Sequence, residues 1–149
     1  MRLALGFGRE RWMKREGDVM ATKDGLTILV ADDDVELLAI LVQHLRTRKC
    51  KLVEARDGNE ALELARKHKP DIMVLDVMMP GLSGWEVAKR VRDDEGLEHT
   101  GILVLTAIGE SLNALTSPLY GADAQMDKPF EFAALDEKID EILAARGKR

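Results

Sequence analysis

Cysteine is almost absent from this sequence of 149 residues, in which Cys50 is the only one. A single thiol cannot form an intrachain disulfide, so we expect a fold held by its core in a reducing compartment, the cytoplasm. No apolar run approaches the roughly 20 residues of a membrane-spanning helix, so no membrane contact is expected. Aromatic residues make up only 4% of the chain. This composition, rich in small aliphatic residues, favours helices packed on a sheet over an all-β sandwich. The net charge of −5 argues against direct binding of nucleic acid.

Residues 1–25 differ from the rest because they carry charges of both signs and no sustained apolar period. We expect them to form a flexible N-terminal extension, and an arm that touches a partner is the alternative. Met20 is an alternative first residue, which would leave residues 1–19 outside the protein. Residues 26–149 are predicted to form one compact domain, since 46% of the chain is hydrophobic.

Strand and helix signals alternate five times from Thr27 onward. Short apolar runs predict strands at residues 27–31, 52–55, 72–75, 102–105 and 124–126. Asp34 can cap the first helix, and Asp57 with Glu60 resembles a capping box for the second. The fourth helix is expected near residues 111–120, where Pro118 weakens it, and the last near residues 131–145. Right-handed crossovers then give a doubly wound α/β fold with a five-stranded parallel sheet.

Polar side chains follow four of the five predicted strands, at the edge of a parallel sheet where ligands bind. They are Asp32, Asp33, Asp76, Thr106 and Lys128. Three neighbouring carboxylates repel one another unless a cation intervenes, and Mg²⁺ suits oxygen ligands and phosphate together. An aspartate beside Mg²⁺ and a lysine can act as a nucleophile on phosphorus, with the hydroxyl as a further donor. Each residue alone has an ordinary explanation as a cap, loop or surface residue, so the prediction depends on all five meeting.

Four segments resemble the receiver domain of two-component response regulators. They are residues 28–34, 74–81, 105–107 and 127–130, and the resemblance extends over about residues 26–145. It implies a flavodoxin-like (βα)5 fold with strand order 2-1-3-4-5. It also implies that Asp76 accepts a phosphoryl group from a phosphohistidine on a sensor histidine kinase or a histidine phosphotransfer protein.

The resemblance also implies a role for each remaining residue of the cluster. Asp33 and Asp76 would bind Mg²⁺ together with the main-chain carbonyl of Met78, while Asp32 would support the metal partly through water. Thr106 would donate a hydrogen bond to a phosphoryl oxygen, and Lys128 would pair with it. The bond between Lys128 and Pro129 is a candidate for the cis form.

Gln125 departs from the family pattern, in which a tyrosine or phenylalanine usually stands three residues before the lysine. That aromatic residue normally changes rotamer when the threonine moves toward the phosphate. Tyr120 is not a substitute for it, since Tyr120 precedes the Gly121-Ala122-Asp123 turn. The amide of Gln125 either engages a partner or is simply solvated.

The sequence predicts a stand-alone receiver domain that signals through contacts with another protein. We expect the contact face to combine the predicted fourth helix, the fifth strand and the last helix. One alternative is a phosphorelay intermediate that passes the group to a histidine phosphotransfer protein, and another is a receiver cut from a larger regulator. A metal-dependent phosphohydrolase is a third alternative, but such enzymes normally carry a second acid where this chain has Met78. Turnover of an external substrate is therefore not expected.

Overall fold

The computed structural model describes residues 25–107 and 120–147. The strands in this part are β1 (Thr27–Ala31), β2 (Lys51–Ala55), β3 (Ile72–Asp76), β4 (Gly101–Thr106) and β5 (Ala124–Asp127). The helices are α1 (Val35–Leu45), α2 (Gly58–His68), α3 (Gly84–Arg92) and α4 (Phe132–Ala145), with short 3-10 turns at Arg46–Arg48 and Glu95–Leu97. The predicted N-terminal extension, apart from Gly25, and nearly all of the predicted fourth helix lie outside the described residues. The label α4 therefore denotes the last helix.

The five strands form one parallel sheet in the order β2-β1-β3-β4-β5, which confirms the predicted fold class. The register pairs Asp76 with Leu105 across β3 and β4, and Thr106 with Asp127 across β4 and β5. The carboxyl ends of β3, β4 and β5 consequently meet at one edge of the sheet. Strand pairing alone brings Asp76 and Thr106 to this edge, and Lys128 directly follows the end of β5.

The central strands are buried on both faces, as their uninterrupted apolar sequences predict. Met73 and Leu75 of β3 pack with α2 and α3, whereas Ile72 and Val74 pack with α1 and α4. Alternate residues of one strand therefore contribute to two separate layers of the core. This double coverage fixes the register, because a shift by one residue would exchange the two sets of side chains.

Side-chain caps fix where α1, α2 and α3 begin. Asp34 accepts hydrogen bonds from the N–H groups of the first turn of α1, as predicted. Asp57 accepts from the Glu60 N–H, but the Glu60 carboxylate accepts from the N–H of Arg56 rather than from that of Asp57. The reciprocal capping box belongs instead to α3 and was not predicted.

At the amino ends of β4 and β5, the Asp123 carboxylate joins several elements. It accepts a hydrogen bond from the Ile102 N–H at 2.8 Å and contacts Arg146 Nη2 at 2.9 Å and Arg92 Nη2 at 3.4 Å. Arg92 also donates to the Thr100 carbonyl at 3.0 Å. Since Ile102 is fully buried, one carboxylate satisfies a buried N–H group and pairs with two arginines at the end of the sheet opposite the predicted site.

Replacing Asp123 with Ala is expected to lower the free energy of unfolding by about 2 kcal/mol, because it leaves a buried N–H group unsatisfied and two guanidinium groups without their counter-ion. Urea denaturation followed by circular dichroism measures the change. Glu141→Ala is the matched control, since it removes an exposed partner of Lys138 and should change stability by about 0.5 kcal/mol or less. Equal effects of the two substitutions would show that the Asp123 cluster does not hold these elements together.

Within residues 25–107 and 120–147, none of the helices combines the length and the apolar character needed to cross a lipid bilayer.

Candidate functional site

Three aspartates converge where β1 and β3 end. Asp32 and Asp33 directly follow β1, and Asp76 is the last residue of β3. One carboxylate oxygen from each lies within 4.8 Å of the others. Asp32 and Asp76 are almost completely buried, at 1% and 6% exposed, whereas Asp33 is exposed. The cluster therefore has two buried carboxylates and one that is open to solvent.

Lys128 contacts both of the buried carboxylates. Its Nζ atom lies 2.5 Å from Asp76 Oδ1 and 3.5 Å from Asp32 Oδ2. The N–H group of Lys128 donates to the Thr106 carbonyl at 2.7 Å, which ties the residue to the end of β4. The peptide bond between Lys128 and Pro129 is cis, as predicted. The sheet thus places one ammonium group against two acids.

The electrostatics of the cluster show competition between burial and pairing. Burial raises the pKa values of Asp32 and Asp76, and the positive charge of Lys128 opposes this rise without cancelling it. Burial alone would lower the pKa of Lys128, but its hydrogen bond to Asp76 and the two nearby carboxylates outweigh burial and raise that pKa. Lys128 therefore remains charged, and its charge alone does not return the pKa values of Asp32 and Asp76 to their usual range.

The three carboxylates have the chemistry of a site for a divalent metal ion. Three carboxylates offering an oxygen each within 4.8 Å form a hard, all-oxygen donor set, which is the set that Mg²⁺ binds, usually with several waters retained. A divalent cation would also relieve the cost of keeping Asp32 and Asp76 ionised where they are buried. The residues present therefore fit Mg²⁺.

The loop after Asp76 is anchored at Val77. The Val77 N–H donates to the Leu105 carbonyl at 3.0 Å, and the Val77 carbonyl accepts from the Gly84 N–H at 3.0 Å. A Cβ atom at position 84 would lie 2.5 Å from the main-chain oxygen of Asp76, so only glycine allows α3 to start this close to β3. Met78 lies in the loop with its side chain pointing largely to solvent, since the residue is 65% exposed.

Thr106 lies at the predicted edge, but its hydroxyl group is turned to β5. The residue is fully buried, and Oγ1 lies 2.7 Å from Asp127 Oδ1 and 3.3 Å from the Met126 carbonyl. Asp127 was not predicted to be part of this neighbourhood. The sequence does not show which residue of β5 lies opposite Thr106, and the contact with Asp127 follows only from the register of the two strands.

Gln125 lies in the middle of β5, paired in register with Val104. Its amide oxygen is buried and has no hydrogen-bond partner among the described residues, although the residue as a whole is partly exposed. The ring of Tyr120 lies 5.9 Å from that of Trp85 at the start of α3. Away from the site, His44 pairs with Asp136 and stacks on Phe132.

A family model described as the response regulator receiver domain matches residues 28–140. The chain belongs to this family. The match includes each of the cluster residues and β1 to β5 almost completely, so the predicted family is confirmed. Receiver domains are parts of two-component signalling systems, and the resemblance inferred from four short segments extends over most of the chain.

Proteins of known identity that resemble the receiver chain include the transcriptional regulatory protein PhoP for alkaline phosphatase synthesis in Bacillus subtilis. It is 38% identical over 116 residues, which is 78% of this chain and 48% of PhoP. The chain spans about half the length of the curated relatives it matches.

Solved structures show the same fold. The chemotaxis response regulator CheY4 of Vibrio cholerae is 29% identical with a TM-score of 0.72, over 79% of this chain and 98% of that one. The response regulator TrrA of Thermotoga maritima, solved in complex with Mg²⁺ and beryllofluoride, is 33% identical with a TM-score of 0.70. That comparison covers 79% of this receiver chain and 99% of TrrA.

Proposed function

We propose that this receiver domain accepts a phosphoryl group on Asp76 and transmits the signal through protein–protein contacts. The observation that carries the proposal is the position of the Asp76 carboxylate, which contacts the Lys128 ammonium group within a cluster of three acids. Transfer of a phosphoryl group requires a nucleophilic oxygen and positive charge beside it. Asp76 supplies the oxygen, Lys128 supplies one positive charge, and the other two acids could hold a second.

The donor in this proposal is a phosphohistidine of a sensor histidine kinase or a histidine phosphotransfer protein. An oxygen of Asp76 forms a bond to phosphorus while the P–N bond breaks, and the electron pair of that bond returns to the imidazole nitrogen. Lys128 then exchanges part of its contact with Asp76 for a phosphoryl oxygen and balances its negative charge. Thr106 offers its hydroxyl group as a further donor to the phosphoryl group.

Mg²⁺ is the cofactor in this proposal. Asp33 and Asp76 would hold the ion together with the main-chain carbonyl of Met78, and Asp32 would support it partly through water. The ion would neutralise the charge that develops on the phosphoryl oxygens. The complex of the related TrrA with Mg²⁺ and beryllofluoride supports this assignment by similarity.

Output is proposed to pass to a second protein in the cytoplasm. The contact face would combine β5 and α4 with the predicted fourth helix, which lies outside the described residues. The resemblance to the transcriptional regulator PhoP makes control of transcription an alternative output, in which the receiver acts on a DNA-binding partner or domain. A phosphorelay intermediate remains an alternative, and assays of back-transfer to a histidine phosphotransfer protein distinguish it.

Incubation with a small phosphodonor, such as phosphoramidate, in the presence of Mg²⁺ tests the proposal. Intact-protein mass spectrometry should show the addition of one phosphoryl group, which hydroxylamine removes because the product is an acyl phosphate. Chelation of Mg²⁺ should prevent the addition. Absence of the added group at saturating donor, or a product that resists hydroxylamine, would contradict the proposed function.

Gln125→Ala is expected to incorporate the same amount of phosphoryl group as the wild type, within about twofold, because no hydrogen bond joins the Gln125 amide oxygen to the described residues of the site and the amide supplies no charge to the reaction. The measurement is the same mass-spectrometric time course. A loss of labelling in a variant that still folds, as judged by circular dichroism, would place Gln125 in the chemistry rather than in the readout.

A further inference from the structure

The Thr106 hydroxyl group carries a single proton, and its position determines what this residue can do. Oγ1 lies 2.7 Å from Asp127 Oδ1, a distance typical of a strong O–H donor to a carboxylate. The alternative acceptor, the Met126 carbonyl, is neutral and lies farther away at 3.3 Å. The proton is therefore donated to Asp127, and the hydroxyl group has no second proton to give to a phosphoryl oxygen.

The sheet makes this contact a persistent one. Thr106 and Asp127 are paired in register at the ends of β4 and β5, so their side chains project from the same face of neighbouring strands. Thr106 is fully buried, while Asp127 is exposed. The carboxylate of the exposed Asp127 thus accepts a hydrogen bond from the hydroxyl group of a buried threonine.

We propose that Asp127 is a positioning residue that holds the Thr106 hydroxyl group away from Asp76 and thereby sets how strongly the site binds a phosphoryl group. This inference rests on the proposed function of Asp76. When a phosphoryl group occupies the site, the Thr106 proton must leave the Asp127 carboxylate before it can bind a phosphoryl oxygen. The free energy of the hydrogen bond between Thr106 and Asp127 is lost in this step, so the site binds a phosphoryl group more weakly than it would without Asp127.

Affinity for beryllofluoride in Mg²⁺, measured by calorimetric titration of the full chain, tests this proposal without requiring a kinase. Asp127→Ala removes the acceptor and should tighten binding about fivefold, the equivalent of one typical net hydrogen bond. Asp127→Asn removes the charge but keeps a weaker neutral acceptor, so its affinity should lie between those of the wild type and Asp127→Ala. If the charge acted through space instead, the two variants would have equal affinities.

Thr106→Val removes the hydroxyl group while preserving the shape of the side chain. In that background Asp127→Ala should leave the beryllofluoride affinity unchanged, because no proton remains to be released. Glu131→Gln is the matched control for charge, since Glu131 is an exposed acid that follows Lys128 closely in the sequence and whose side chain makes no capping hydrogen bond. It should bind beryllofluoride as the wild type does.

Three results would overturn the proposal: unchanged affinity in Asp127→Ala, equal affinities of the Ala and Asn variants, or tightening that persists in the Thr106→Val background. Circular dichroism and the melting temperature of each variant separate these results from misfolding, and Asp127→Asn provides the conservative case if Asp127→Ala is unstable. A wild-type chain that fails to bind beryllofluoride at all would instead contradict the proposed function of Asp76, and the inference with it.

Discussion

Asp76→Asn is expected to reduce phosphoryl labelling by at least about 100-fold, to the background of the assay, because an amide oxygen does not form a stable bond to phosphorus as a carboxylate does. The substitution preserves the size of the side chain, and its carbonyl oxygen can still accept a hydrogen bond from Lys128. The measurement is incorporation of a phosphoryl group from phosphoramidate in Mg²⁺, followed by intact mass.

Asp93→Asn is the control for this experiment, since Asp93 is an exposed acid at the end of α3 that pairs only with Lys89 among the residues described. It should be labelled at the wild-type rate. Normal labelling of the Asp76→Asn protein would exclude Asp76 as the acceptor. The melting temperature separates a loss of chemistry from a loss of structure.

The second large effect is expected for Asp33→Ala, which should weaken Mg²⁺ binding by more than about tenfold. Substitution of a residue that only supports a metal ligand commonly costs 10- to 100-fold in affinity, and loss of a ligand should cost at least as much. Asp33 is exposed, so the variant should fold normally. Isothermal titration with MgCl₂ measures the affinity.

Asp34→Asn provides a close control, because Asp34 is the next carboxylate in the chain but serves to cap α1. Asparagine is an equally good cap, so both the stability and the Mg²⁺ affinity should stay close to those of the wild type. An Asp33→Ala protein with wild-type affinity would mean that the ion is held elsewhere. A similar loss in Asp34→Asn would mean that total charge near α1, rather than coordination, governs binding.

Much of the fold was predictable because its signals are local. The strand runs and the alternation with helices follow from apolar periods within a few residues, and each predicted strand was found within one residue of its expected bounds. The caps were harder, because several polar groups compete for one N–H group. Asp57 was correctly identified, whereas the box formed by Ser83 and Glu86 was missed.

The candidate site was predictable for a different reason. Parallel strands bring their carboxyl ends to one edge, so residues distant in sequence must meet once the order of the strands is known. The pairing of Lys128 with Asp76 and Asp32 agrees with this argument. The orientation of the Thr106 hydroxyl group was not predictable, since it depends on which residue of β5 lies opposite and on a proton with two possible acceptors.

The anchoring of Val77 has a consequence for the entropy of ligand binding. Since its N–H and carbonyl groups are both engaged, by β4 on one side and by the first residue of α3 on the other, the loop after Asp76 is closed at its base before any ion arrives. The main-chain carbonyl of Met78 then belongs to a short segment with few conformations to lose. Restricting a binding loop in advance reduces the cost of ordering it and strengthens binding without any additional contact. If the Met78 carbonyl binds Mg²⁺ as proposed, Gly84 would strengthen that binding by fixing the base of the loop, without being a ligand itself.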